Sequence, residues 1–193
     1  MAVVARRGQG RHDGSDRLME PIHRGTLFDQ TPDVDEGSAE FSPCGLYRYT
    51  LRRAWGVAPP VLFVMLNPST ATAEQDDPTI RRCIGFARQW GAGGLLVANL
   101  YALRSTDPRG LSAVPDPVGP DNDSWIQRLA GTSLRVIVAW GAAPGPDPAR
   151  PQRVRSVLRS VGVEELWALG LSRSGAPRHP LYMPKASSPV RWL

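Results

Sequence analysis

Val61-Leu62-Phe63-Val64-Met65-Leu66 runs straight into Asn67-Pro68-Ser69-Thr70. The apolar run is too short for a packed helix and is apolar at odd and even positions alike, the pattern of a strand covered on both faces of a parallel sheet. Leu95–Asn99, Val136–Trp140 and Leu166–Leu169 repeat it, with helix-length segments between them. In the first of these, Ile80, Cys83, Ile84 and Ala87, with Trp90 close by, share one helical face, while Arg81, Arg82 and Arg88 point elsewhere. Asp77 is a natural N-cap, Pro78 suits the first helical position and Gly91 stops the helix. Further helices are predicted at about 122–129 and 149–161. Upstream, Leu46 to Trp55 alternates aromatic and basic residues and reads as an edge strand with one covered face. This alternation predicts an α/β domain with a mainly parallel sheet of about four strands plus the N-terminal edge strand.

The chain has 193 residues, 41% of them hydrophobic, enough for one domain with a sizeable core. Residues 1–42 are polar and aperiodic and read as a flexible or irregular leader, leaving 43–193 as a single domain. No stretch approaches the roughly 20 apolar residues of a bilayer span, and residues 1–20 lack the apolar core of a secretory signal, so no membrane partner and a cytoplasmic location are expected. Cys44 and Cys83 have no CxxC spacing, and His12, His23 and His179 are scattered; neither a metal nor an organic cofactor is expected, and the thiols are read as free. Net charge is +5, which favours a polyanionic partner such as DNA or a nucleotide-like ligand. Of the 23 basic residues only Lys185 is a lysine, a skew that codon bias also produces, so a solvated basic surface is the competing reading. A monomer is expected.

In an open parallel sheet, ligands bind beyond the carboxyl ends of the strands, and there the chemistry-bearing residues gather. Asn67, held between a strand and Pro68, is placed to orient a water or a carbonyl, or else only to cap its turn. Of the adjacent acids, Asp77 is better placed as N-cap, which leaves Asp76 for general-base work. Asn99 and Tyr101 end the second strand, with Arg104 after them; Trp140 ends the third; Arg178 and His179 follow the fourth. His179, between Pro177 and Pro180, can donate to a developing anion or shuttle a proton. Tyr47, Tyr49 and Trp55 interleaved with Arg48, Arg52 and Arg53 fit either a base-stacking surface or a half-buried sheet, the second being commoner. No GxSxG, Walker or GxGxxG motif is present.

Tyr47 to Trp55, Met65 to Ala71, Asp76 to Cys83, Asn99 to Pro108 and Gly175 to Tyr182 together resemble a bacterial family known as domain-of-unknown-function family 1643, over residues 44–193. More distantly, Met65-Leu66-Asn67-Pro68-Ser69 and the late His179-Pro180-Leu181-Tyr182 are similar to the two active-site motifs of the uracil-DNA glycosylase superfamily, with Met65 and Ser69 where its first motif has glycine. That resemblance implies a three-layer α/β/α sandwich and cleavage of an N-glycosidic bond to a modified or damaged base in DNA. It implies that Asn67, aided by Asp76, places water and that His179 meets charge on the leaving base. Pro68, Ser69, Thr70, Asn99, Tyr101, Trp140 and Tyr182 would contact the substrate, and Arg81, Arg82, Arg104 and Arg178 its phosphates. Two alternatives stay open: a non-catalytic module that binds nucleotides or modified DNA, and an enzyme acting on a small nucleoside or phosphorylated metabolite.

Overall fold

The structure is a computed structural model and describes residues 36–143 and 145–192. Seven strands form one sheet: β1 (Glu36–Phe41), β2 (Arg48–Ala54), β3 (Val61–Met65), β4 (Gly94–Asn99), β5 (Arg135–Val138), β6 (Trp167–Ala168) and β7 (Val190–Arg191). Their order is β1-β2-β4-β3-β5-β6-β7. The central β4-β3-β5-β6 block is parallel, and β1, β2 and β7 are antiparallel to their neighbours. The four apolar runs are thus the four parallel strands, in an α/β fold.

Three helices connect them: α1 (Pro78–Gln89), α2 (Asn122–Ala130) and α3 (Arg150–Arg159). The Asp77 carboxylate accepts the Ile80 N–H at 2.8 Å, and Gly91, at φ 76°, turns the chain out of α1. The parities of the strands separate two cores. Val61, Phe63 and Met65 pack with Ile80, Cys83, Ile84 and Ala87 of α1. Leu62 and Val64 pack with Ile126 of α2 and with Val154 and Leu158 of α3. Burying each such large side chain contributes roughly 1.5–3 kcal/mol, and covering both faces explains why the strands are apolar throughout. Among the described residues no helix is long and apolar enough to cross a membrane.

Two expectations need correcting. The Leu46–Trp55 segment is not an edge strand; β2 lies between β1 and β4 and is buried at Arg48, Tyr49, Thr50, Leu51 and Arg53. Residues 36–41, read as the end of the leader, form the edge strand β1 instead, and β7 adds a strand at the other edge. The sheet is therefore wider than the expected four strands plus one. Residues 1–35 of the expected leader lie outside the described residues.

Candidate functional site

From β3 the chain crosses by α1 to β4 on one side, and the later β5 lies on the other side of β3. The loops after β3 and β5 therefore diverge, and such a switch point leaves a crevice at the carboxyl end of the sheet. A cleft of about 230 Å³ lies there, lined by Met65, Leu66, Asn67, Ser69, Asp77, Thr79 and Ile80, by Ser105, Thr106 and Pro108, by Trp140, by His179, and by Arg48. All four strand-end loops reach it. An open hollow of about 670 Å³, lined by Thr70 and Arg104, shares Ser69, Ser105 and Thr106 with the cleft. A mainly apolar hollow of about 310 Å³, lined by Gly141, Ala142, Ser172, Pro177, Arg178 and Tyr182, shares His179.

Asn67 stitches the rim together. Its Nδ2 donates to the carbonyls of Pro68 at 2.9 Å and Ser105 at 2.7 Å, so both donors are used and Oδ1 is the group left for a ligand or water. His179 caps the 3-10 turn Pro180–Tyr182, its Nδ1 accepting the Leu181 N–H at 3.4 Å. That bond assigns the proton of a neutral ring to Nε2, which makes Nε2 the donor. Burial pushes the His179 pKa down, with the Asp77 charge pulling the other way, so the ring is neutral at pH 7. Amide and imidazole, far apart in sequence, line one cleft.

Other expected residues are placed differently. Asp76 is outside the cleft: Arg53 donates to its Oδ1 through Nε at 2.9 Å and lies 2.8 Å away through Nη2, with both side chains largely buried. Asp77, expected only as a cap, is the acid that lines the cleft while capping α1. Tyr101 is fully buried, and its hydroxyl bonds to the backbone of Asp147, accepting from N–H at 3.1 Å. Asn99 is 1% exposed and lines none of the three hollows. Pro68 is buried behind Asn67, with its carbonyl accepting the Ser105 N–H at 3.0 Å. Trp140 lines the cleft edge-on to Trp192, ring centroids 5.2 Å apart. Tyr182, 78% exposed, belongs to the apolar hollow.

The arginines also divide. Arg82 donates to the Met183 carbonyl and lies over the Phe86 ring, tying α1 to the turn after His179. Arg81 donates to the Asp76 carbonyl at 2.5 Å, away from the cleft. Arg104 lines the open hollow, with Nη1 3.3 Å from the Gly45 carbonyl, and Arg178 lines the apolar one. The aromatic–arginine strand is structural: Tyr47, Tyr49 and Trp125 stack in sequence, and Trp55 donates to the Ala92 carbonyl at 2.8 Å.

Arg48, placed by the sequence only in a strand that fits a base-stacking surface or a half-buried sheet, lies in the cleft. It is 2% exposed, yet it lines the cleft, and its Nη1 donates to the Ala71 carbonyl at 2.5 Å. Burial brings its pKa down to about 10, with Asp77 pulling it back up, so it is charged at pH 7. An arginine surrounded by apolar and aromatic neighbours in a strand was the available signal, masked by the assumption that one face of that strand meets solvent.

A family model described as a protein of unknown function, DUF1643, matches residues 48–181. No curated protein and no solved structure matches.

Proposed function

The chain belongs to the DUF1643 family, whose description names no reaction, and from the geometry of the cleft we propose that it recognises a nucleobase and hydrolyses its N-glycosidic bond. The observation that carries the reading is the meeting of Asn67 and His179 in one cleft, each restricted to one kind of hydrogen bond. At about 230 Å³ the cleft is smaller than the roughly 300–1,000 Å³ of sites for drug-sized ligands. It suits a single ring flanked by Trp140, Met65 and Ile80. The adjoining hollow with Arg104 has room for the chain from which an extruded base comes.

In the proposed step, a water oxygen bonds to the anomeric carbon as the carbon–nitrogen bond breaks. The bonding pair leaves with the base, whose growing negative charge is met by the His179 Nε2–H. Asn67 Oδ1 accepts one hydrogen bond from the water and fixes its direction. The Asp77 carboxylate takes the water's proton, the task expected of Asp76, and stabilises positive charge on the sugar. Most of the rate comes from charge met only in the transition state. A uracil-DNA glycosylase-like arrangement of these parts belongs to the same proposal. DNA is then the partner, and Arg104 and Arg178 reach its phosphates.

One observation favours a second reading, an enzyme on a small phosphorylated nucleoside: Arg48, buried at 2% exposure, lines the cleft itself. Oligonucleotides carrying uracil and modified pyrimidines, assayed for released base and abasic sites, test the first. Release from a strand supports it; release from free nucleotides that duplex competitor leaves untouched supports the second. Binding without release, unaltered by Asn67→Ala, leaves a binding module.

A further inference from the structure

Among the described residues three arginines are buried, at 2–3% exposure: Arg48, Arg53 and Arg150. Two have a carboxylate. Arg53 pairs with Asp76 at 2.8 Å and Arg150 with Asp123 at 2.5 Å. Taking a guanidinium out of water is costly unless a charge partner and hydrogen bonds replace its hydration. Arg48 has neither in full: Nη1 reaches the Ala71 carbonyl, Nε is buried without a partner, and no carboxylate of the described residues pairs with it. Asp77 acts on it only through its longer-range field, its Oδ1 being committed to the first turn of α1. Of the three, the one without a counter-ion is the one that lines the cleft.

We propose that Arg48 is the anion receptor of the cleft, so that the ligand carries a negatively charged oxo group, a phosphate or a carboxylate, to the buried guanidinium that lines it. The inference rests on the nucleobase reading and narrows its substrate class. A guanidinium offers its donors in a planar fork that matches two oxygens of such a group. The side chain is held for that purpose by β2, whose Arg48 N–H donates to the Ala102 carbonyl at 2.9 Å, and by the Ala71 carbonyl. Position distinguishes this site from a general basic surface. Arg104 and Arg178 line the neighbouring hollows and not the cleft, and both side chains belong to exposed residues.

The two sources of such an anion are a phosphate of the nucleotide and an acidic substituent on the ring. Calorimetric titration of the full chain with uridine, uridine 5′-monophosphate, uracil and a uracil bearing a ring carboxylate separates them. One charged member is expected to bind about tenfold or more tighter than its neutral counterpart, the worth of a charge-assisted hydrogen bond. A preference for the monophosphate identifies phosphate, and a preference for the carboxylated ring identifies the substituent. The preference is expected to fall below about threefold in Arg48→Gln, to survive in part in Arg48→Lys and to persist in Arg159→Gln, a change on the exposed face of α3 outside the cleft and its hollows. Equal binding of charged and neutral members by the unmodified chain overturns the inference, as does no binding of either charged probe at millimolar concentration. A preference that vanishes with Arg104 and not Arg48 overturns it too. The comparison within the unmodified chain decides the matter even if Arg48→Gln does not fold. Base release from oligonucleotides is measured alongside: release with no charge preference leaves the nucleobase reading standing and removes this inference alone.

Discussion

Replacing Asp76 by asparagine leaves the buried guanidinium of Arg53 without its charge partner. Breaking such a pair costs about 3–5 kcal/mol, so the urea midpoint of Asp76→Asn is expected to fall steeply while the protein that remains folded keeps its activity. Asp77→Asn is expected to do the reverse: a loss of about 1 kcal/mol or less from a weakened cap, and base release slowed by about 10²-fold or more. These adjacent acids were legible in sequence as one cap and one free carboxylate. Which did what was not, because Arg53 reaches Asp76 from β2, across 23 residues of chain. Asn67 and His179 were legible because each interrupts an apolar or proline-framed segment where a side chain is held still. Arg48 was not, since burial of a charge depends on what packs over it.

His179 gives the pH dependence its sign. A neutral ring donates from Nε2, and burial holds its pKa below the ordinary value of about 6.5. Base release is therefore expected to stay level as pH falls through about 6.5 and to decline only below it, as a proton on Nδ1 breaks the bond from the Leu181 N–H that holds the ring in place. A His179 acting as proton donor from the cationic form gives the opposite profile, with activity lost as pH rises. His179→Gln, which keeps a neutral N–H donor, is expected to retain part of the activity and to flatten the acid limb. The profile of rate against pH for both chains distinguishes the two roles.

At the scale of elements, α1 was readable almost to the residue because cap, proline, apolar stripe and terminal glycine all agree. The outer strands were not. β1 is polar and half exposed, β7 is two residues long, and neither carries a hydrophobic period that its sequence could announce. The junction before β4 holds a tighter constraint. The Gly93 carbonyl accepts the N–H groups of both Trp55 and Gly56 at 3.0 Å, and a Cβ at Gly93 would sit 2.2 Å from the Ala58 carbonyl oxygen. Gly93→Ala is expected to force the β2–β3 turn away and cost about 1–3 kcal/mol. Gly131 ends α2 with φ −64°, and a Cβ there meets nothing closer than 3.7 Å. Gly131→Ala is expected to be neutral or stabilising by up to about 1 kcal/mol. Urea denaturation of the two variants side by side checks the contrast.

Across the whole molecule, the order of the parallel strands does what no single motif does. It sets the exits of β3 and β5 side by side with a gap between them, and segments ending at Asn67, Ser105, Trp140 and His179 meet over it. The surrounding charge is divided between arginines that tie the fold together and those that face the hollows, so the net charge of +5 says little by itself about a partner. Convergence of Asn67 and His179 on one reacting bond is tested most directly by single-turnover release of base from an oligonucleotide. The unmodified chain, Asn67→Ala, His179→Ala and the double variant are compared. Each single change is expected to slow release by about 10²-fold or more, and the double variant to fall no more than about tenfold below the worse single one, as for groups that act as a unit. No release by the unmodified chain, or release at its rate by either single variant, would contradict a shared site.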